Sequence, residues 1–249
     1  SVYWLHEDKH GRIWVATFGG GLNYIQKNPE GKYIFINNRN NLKGFPYDRC
    51  YRVRHITSDN KGNIWVGSSD GALCFKEDFK DPESIVFHLY ARIPNDMNCL
   101  SNNNVYRIVT TSRGEIYLAT FGGGLNKLVS MDDKGEAVFR SFTRKDGLPT
   151  DILLAVEEDD EGNLWISTEN GLSKFTPDEK RFENYNERDF GDKIRFEEGT
   201  SLNLSTRTIL FGTSSGVLYF EPEDIKKSNY VPPVVLGTLK ISNQEAVSY

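Results

Sequence analysis

Short apolar segments alternate with Gly- and Asn-rich turns along the chain, and they do so with a long period. The stretch "GRIWVATFGGGLNYI", residues 11 to 25, reads as a strand, a glycine-rich turn and a second strand. A near copy, "GEIYLATFGGGLNKL", stands at residues 114 to 128. Aligning on the aromatic centre puts Trp14, Trp65, Tyr117, Trp165 and, less strictly, Leu210 in one register, roughly 50 residues apart, the spacing of a repeat fold. Three residues after each centre comes a hydroxyl: Thr17, Ser68, Thr120, Thr168 and Thr213. An apolar residue preceded by a small one follows: Leu22, Leu73, Leu125, Leu172 and Val217.

Each unit divides into strands. An apolar segment such as "VYWLHED", "VYRIVTT" or "LLAVEED" leads into a turn such as Asp59-Asn60-Lys61-Gly62 or Asp159-Asp160-Glu161-Gly162. An Asp side chain accepts from turn amides and a Gly takes the positive φ that ends the turn, so D-x-x-G is hairpin chemistry. The strand with the aromatic comes next, then a second turn, then a third strand such as "GLNYI", "ALCFK" or "GLSKF". A fourth alternating segment closes most units. Four antiparallel strands in a unit of this length make the blade of a β-propeller. Gly and Asn are too frequent for much helix. The fold expected is therefore all-β: a propeller portion of about five four-stranded blades, at 1–40, 41–92, 93–145, 146–188 and 189–230. The fifth blade is expected to be incomplete, because "VPPVVLGTLKISNQEAVSY" follows its third strand, with a diproline where a fourth strand should be. An unmatched edge of this kind predicts a fragment of a larger propeller and self-association of copies through the exposed edges.

Composition narrows the field little. The chain has 249 residues with 30 Lys and Arg against 35 Asp and Glu, a net charge of -5, which gives no general attraction to nucleic acid or an anionic membrane. No apolar run is long enough to cross a membrane, and "SVYWLHEDKH" is not a signal peptide, so neither nucleic acid nor membrane is an expected partner. Cys50, Cys74 and Cys99 form no C-x-x-C pair, and they read as buried or incidental thiols whose pairing is open.

The units "ITSDNKGNIWVGSSDGALCF" and "VEEDDEGNLWISTENGLSKF" resemble the two-component regulator propeller repeat, D-x-x-G-x-I-W-[IV]-G-T followed by G-G-L. The likeness covers about residues 2 to 230 as repeats. The tail at 231–249 resembles the junction and first strand of the Ig-like domain called Y_Y_Y. What the resemblance implies is the periplasmic sensor region of a hybrid two-component system of Bacteroides-type bacteria. In that family, two propellers precede the Ig-like domain, a membrane helix, a histidine kinase and a response regulator, and oligosaccharides are the usual signals. Two units depart from the repeat: Tyr117 replaces Trp and Thr111 the turn Asp in the third, and Arg207 replaces the turn Gly in the fifth.

Catalytic motifs are missing: there is no G-x-S-x-G, H-E-x-x-H or G-x-x-x-x-G-K-[ST]. Gly19 to Gly21 lead into a strand, whereas a phosphate loop opens a helix. His6 and His10 sit on a strand and its turn and do not converge on a metal. No catalytic residue, metal ligand or cofactor is expected. Binding is the better expectation, because a propeller gathers its blade connections and one set of hairpins around the mouth of its channel. Asn, Arg and aromatic residues there suit a sugar's hydroxyls and C–H faces, which singles out Phe18, Asn23, Arg49, Tyr51, Asn103, Tyr106, Phe121 and Asn126. Phe18 and Phe121 read either as exposed platforms or as packing between blades. The recurring Trp14, Trp65, Tyr117, Trp165 and the five hydroxyls are expected to be frame, filling the blade interfaces and satisfying backbone groups. The rival readings are a carbohydrate-active propeller enzyme, needing acids or His clustered on the channel face, and a protein-interaction scaffold with a flat apolar patch.

Overall fold

The structure is a computed structural model that describes residues 1–191, 193–204, 207–225, 240–241 and 244–245. The first blade holds β1 (Val2–Glu7), β2 (Ile13–Thr17), β3 (Gly21–Lys27) and β4 (Tyr33–Ile36). The second holds β5 (Val53–Ser58), β6 (Asn63–Ser68), β7 (Gly71–Lys76) and β8 (His88–Tyr90). The third holds β9 (Val105–Thr110), β10 (Ile116–Thr120), β11 (Gly124–Met131) and β12 (Ala137–Phe142). The fourth holds β13 (Leu153–Glu158), β14 (Leu164–Thr168), β15 (Gly171–Thr176) and β16 (Arg181–Tyr185). The fifth has three strands, β17 (Phe196–Asn203), β18 (Ile209–Thr213) and β19 (Gly216–Phe220). Among the described residues every sheet is an antiparallel meander in chain order, and helix is confined to short turns such as Tyr47–Cys50 and Glu187–Phe190. The protein is thus the all-β, five-bladed propeller that the repeat predicts, with three strands of the fifth blade among the described residues. The expected Y_Y_Y segment at 231–249 lies outside the described residues, apart from the short pair Lys240–Ile241 with Gln244–Glu245.

Neighbouring blades stand inner strand beside inner strand: β1 by β5, β5 by β9, β9 by β13 and β13 by β17. The space between two blades is filled by the central aromatic of one and the apolar rear face of the next. Trp14 packs with Ile56, Ile64 and Phe75, and Trp65 shares a core with Ile108, Ile116 and Phe139. Tyr117 does the same with Val156, Leu164 and Phe175, and Trp165 with Ile209, Phe211 and Phe220. Each fully buried Trp removes on the order of 200 Å² of mostly apolar surface from water, so these interfaces are where the fold is held.

The turn chemistry fixes the aromatic. Asp8, Asp59 and Asp159 each accept a hydrogen bond from the indole Nε1 of the Trp six residues on, at 2.8, 2.9 and 2.9 Å, as well as bonds from turn amides. In the third blade the two departures compensate each other. Thr111 caps the turn through Glu115 N, and the Tyr117 hydroxyl donates instead to Glu115 at 2.9 Å. In the fifth, Arg207 takes a φ of 68°, close to the 71° of Gly62, so the left-handed turn survives with a side chain that disfavours it.

Candidate functional site

The inner strands share a local irregularity that creates the site. In β1, β5, β9 and β13 the register slips at the second residue: Val2 pairs with Thr17 and Trp4 with Ala16, leaving Tyr3 out of the ladder. Arg54, Tyr106 and Leu154 are bypassed in the same way. A bulge re-aims the unpaired side chain, and here it aims it at the channel mouth. In β17 the slip widens to the whole segment from Phe196 to Ser201 and carries Glu198 inward.

Tyr3, Arg54, Tyr106 and Glu198 meet. Arg54 Nη1 donates to Glu198 Oε2 at 3.1 Å, and Tyr3 Oη donates to Glu198 Oε1 at 3.1 Å, joining the last blade to the first two across the channel. The Arg54 guanidinium lies 4.1 Å from the ring centre of Tyr106, 5.3 Å from Phe18 and 5.9 Å from Tyr3. Phe18 stacks on Tyr3 at 5.3 Å, and Phe121 lies 5.2 Å from Tyr106. Arg52 extends the rim, its guanidinium over Phe18 at 5.3 Å and Tyr51 at 4.9 Å. Burial pushes the Tyr106 phenol up to about 12 despite the opposing charge of Arg54, and burial, with the charge of Glu198, raises Tyr3 as well. Both phenols are therefore neutral donors at physiological pH. Tyr3, Trp4, Arg54, His55, Tyr106 and Glu198 enclose a cavity of about 90 Å³.

One layer deeper the channel is plugged. Trp4 packs on His55 at 4.6 Å, Arg107 lies over Trp4 at 4.2 Å, and Arg107 pairs with Glu157 at 2.5 Å, which also accepts from Ser201. Burial lowers the Arg107 guanidinium, and Glu157 opposes that shift. Burial, then the charges of Arg107 and His6, hold His55 well below its ordinary value, so it is neutral, and its Nδ1 accepts from Ile108 N at 3.3 Å.

Of the sequence candidates, the structure brings Phe18, Tyr106 and Phe121 together through Arg54, and Tyr51 joins through Arg52. It does not bring the rest. Asn23 spends its amide on Thr17 and the Gly20 and Gly21 carbonyls, and Asn126 is buried with its amide bonded to Ser101. Asn103 accepts from Arg92 N, and Arg49 is exposed on the Tyr47–Cys50 turn. Tyr3, Arg52, Arg54 and Glu198 escaped the sequence reading. For two of them, Tyr3 and Arg54, a signal was present: in "VYWL", "VRHI", "VYRI" and "LLAV" the second position varies between blades while the first and fourth stay apolar.

The glycine stretch serves the frame around this mouth. Gly19 N and Gly21 N both donate to Tyr51 O of the next blade, and Gly122 N and Gly124 N to Asp151 O. Thr17, Ser68, Thr120 and Thr168 each donate their hydroxyl to the glycine carbonyl closing the same hairpin, at 2.8 Å. The "TFGGG" hairpins are one residue longer than "SSDG" or "TENG", and that extra residue forms the clasp. Among the described residues, no group of three or more His, Cys, Asp or Glu is placed to hold a metal, and no helix is long and apolar enough to cross a membrane. The cysteines are free thiols.

Comparison with known proteins agrees with this architecture. Residues 1–19 and 147–170 match the family described as two component regulator propeller. Histidine kinase P4 of Formosa agariphila is 28% identical over 98% of this chain, which spans only 17% of that protein. The extracellular domain assigned to the hybrid two component system BT4673 of B. thetaiotaomicron superposes with a TM-score of 0.72 at 19% identity, over 90% of this chain and 30% of that one. That of BT3049 from the same organism gives 0.63 at 21%, over 96% and 36%. Virginiamycin B lyase of Staphylococcus aureus shares the fold more loosely, with a TM-score of 0.55 at 13% identity over 88% of this chain and 69% of the lyase. The chain is a β-propeller that, at residues 1–19 and 147–170, is similar to the two component regulator propeller repeat.

Proposed function

We propose that this propeller is a ligand-sensing, non-catalytic, extracytoplasmic part of a hybrid two-component sensor kinase, and that its channel mouth detects an oligosaccharide. The observation that carries the reading is the convergence of Arg54 with Tyr3, Phe18 and Tyr106, a cation ringed by aromatic faces at the open end of a rigid frame. Aromatic faces receive the C–H surface of a sugar and a guanidinium its oxygens, so the chemistry is that of recognition. The similarity to a histidine kinase and to extracellular domains of hybrid systems supports the cellular role and a periplasmic location. Self-association of copies through their terminal blades would couple occupancy to the arrangement of protomers. Titration calorimetry of the chain against a panel of oligosaccharides tests the reading: binding abolished by Phe18→Ala and Tyr106→Ala is expected. Absence of binding across the panel, or turnover of any member into products seen by mass spectrometry, overturns it.

A further inference from the structure

Arg54 is held in an unusual state. Its side chain is only 10% exposed, and one of its hydrogen-bonding groups, Nη1, is engaged by Glu198. Its Nε is buried and has no hydrogen-bond partner among the described residues. A buried N–H on a charged group without an acceptor is costly, and native proteins keep such groups chiefly where something else supplies the acceptor. Arg54 also lines the 90 Å³ cavity, which has room for a small polar group but not for a sugar ring. At the rim above it, Arg52 is exposed, stacked on Phe18 and Tyr51, and makes no ion pair among the described residues.

We propose that the channel mouth takes a carboxylate carried on a sugar, a uronic acid unit, and that this acid displaces Glu198 from Arg54. This rests on the oligosaccharide reading above and narrows it to acidic sugars. Guanidinium groups bind carboxylates with paired, charge-assisted hydrogen bonds, and Glu198 already shows Arg54 holding one. The incoming acid finds the free Nε, Arg52 meets a second charge, and the pyranose stays at the rim between Phe18 and Phe121. Glu198 is suited to leave. It sits in the widened bulge of β17, its side chain is 36% exposed, and Gly199 beside it takes a φ of 66° with open space around it. Its departure breaks the hydrogen bonds from Tyr3 and Arg54 that join the last blade to the first two. Occupancy at the mouth is thereby converted into freedom of the fifth blade.

The experiment is titration calorimetry of the 249-residue chain with trigalacturonate and, as the uncharged counterpart, cellotriose. The wild type is expected to bind the first and not the second. Glu198→Ala removes the competitor and is expected to bind trigalacturonate on the order of tenfold more tightly, the worth of one charge-assisted hydrogen bond. Arg54→Met is expected to lose binding while its melting transition shows it folded. Should that variant not fold, the Glu198→Ala arm decides alone: unchanged or weaker affinity overturns the displacement. Cellotriose binding as well as trigalacturonate overturns the acid requirement and leaves oligosaccharide sensing standing. If neither wild type nor Glu198→Ala binds either probe, while another oligosaccharide binds, only this inference falls; if nothing binds, both fall.

Discussion

At the scale of single residues, the frame depends on a few buried polar groups whose partners are local. Asp59 accepts from Trp65 Nε1 at 2.9 Å, Asn63 Nδ2 at 2.7 Å and the amides of Lys61 and Asn63. Asp59→Ala leaves these donors without an acceptor in a buried turn, which is expected to cost about 3 kcal/mol. Thr111→Ala at the matching place is expected to cost about 1 kcal/mol, because one side-chain bond is lost and Tyr117 is held by Glu115. Urea unfolding of both variants checks the difference, and equal losses would refute the account of the Tyr117 and Thr111 exchange. Charge state matters at His55, which is kept neutral in the fold by burial and by Arg107 and His6. In the unfolded chain the same group titrates near about 6.5, so between the folded and unfolded values only the unfolded state binds the proton. Its contribution is then complete above about pH 6.5 and is lost as pH falls towards the lowered folded value. His6, lowered chiefly by burial, acts in the same direction. The melting temperature should fall between about pH 7 and pH 5, and fall less in His55→Asn, whose Oδ1 stands in for Nδ1 as the acceptor for Ile108 N. The same slope in both proteins would remove His55 from this explanation.

At the scale of strands and hairpins, each blade is set by what its turns allow. The third blade's long hairpin approaches the chain entering the blade so closely that a Cβ on Gly123 would lie 2.4 Å from Ser101 Oγ and 2.9 Å from Asn102 N. Part of that obstruction is backbone, and Ser101 Oγ donates to Gly123 O at 2.6 Å, so the clasp has no slack. Gly123→Ala is expected to cost about 2 kcal/mol, as an overpacked site does, and Gly20→Ala less, since there only the Thr17 side chain stands in the way. Thermal melts of the two variants rank them, and the reverse order would disprove this view of the hairpins. The same elements explain what the sequence disclosed. The blade frame was legible because Asp, Trp, hydroxyl and Gly answer to hairpin geometry that recurs in each unit. The mouth was only half legible, because alternation of period two assumes an unbroken ladder, and Tyr3 and Arg54 stand where the ladder slips. Glu198 was hidden further, since its partners Tyr3 and Arg54 are remote in sequence and it reaches them through an irregular segment. Asn23 and Asn126 misled for the opposite reason: an amide in a glycine-rich hairpin looks free, but the hairpin itself consumes it.

At the scale of the whole molecule, the five blades are not joined alike. Inside the ring, the rear face of each blade is sealed by the blade before it: Ile56 is 0% exposed and Ile108 1%. Leu5 occupies the equivalent place on β1, pairing with Val15 as Ile56 pairs with Val66, and it is 59% exposed. Phe35 on the same blade is 64% exposed. On the front face of the fifth blade, Tyr219 pairs with Leu210 as Tyr24 pairs with Trp14, yet Tyr24 is 0% exposed and Tyr219 71%. The first and last blades are therefore linked at the centre by Tyr3, Arg54 and Glu198, while their outer faces are bare. These faces are the two halves of the interface that recurs between the other blades, so a second copy can place its front face on the rear face of the first. Such an interface is heterologous, and it predicts mass that grows with concentration in light scattering coupled to size exclusion. Phe35→Lys spoils only the rear face and Tyr219→Lys only the front, so each variant alone should remain monomeric. Mixed, they should form a dimer and nothing larger, because one intact front face then meets one intact rear face. A wild-type mass that stays monomeric at every concentration would dismiss pairing of copies, and a dimer formed by either variant alone would place the contact elsewhere on the molecule.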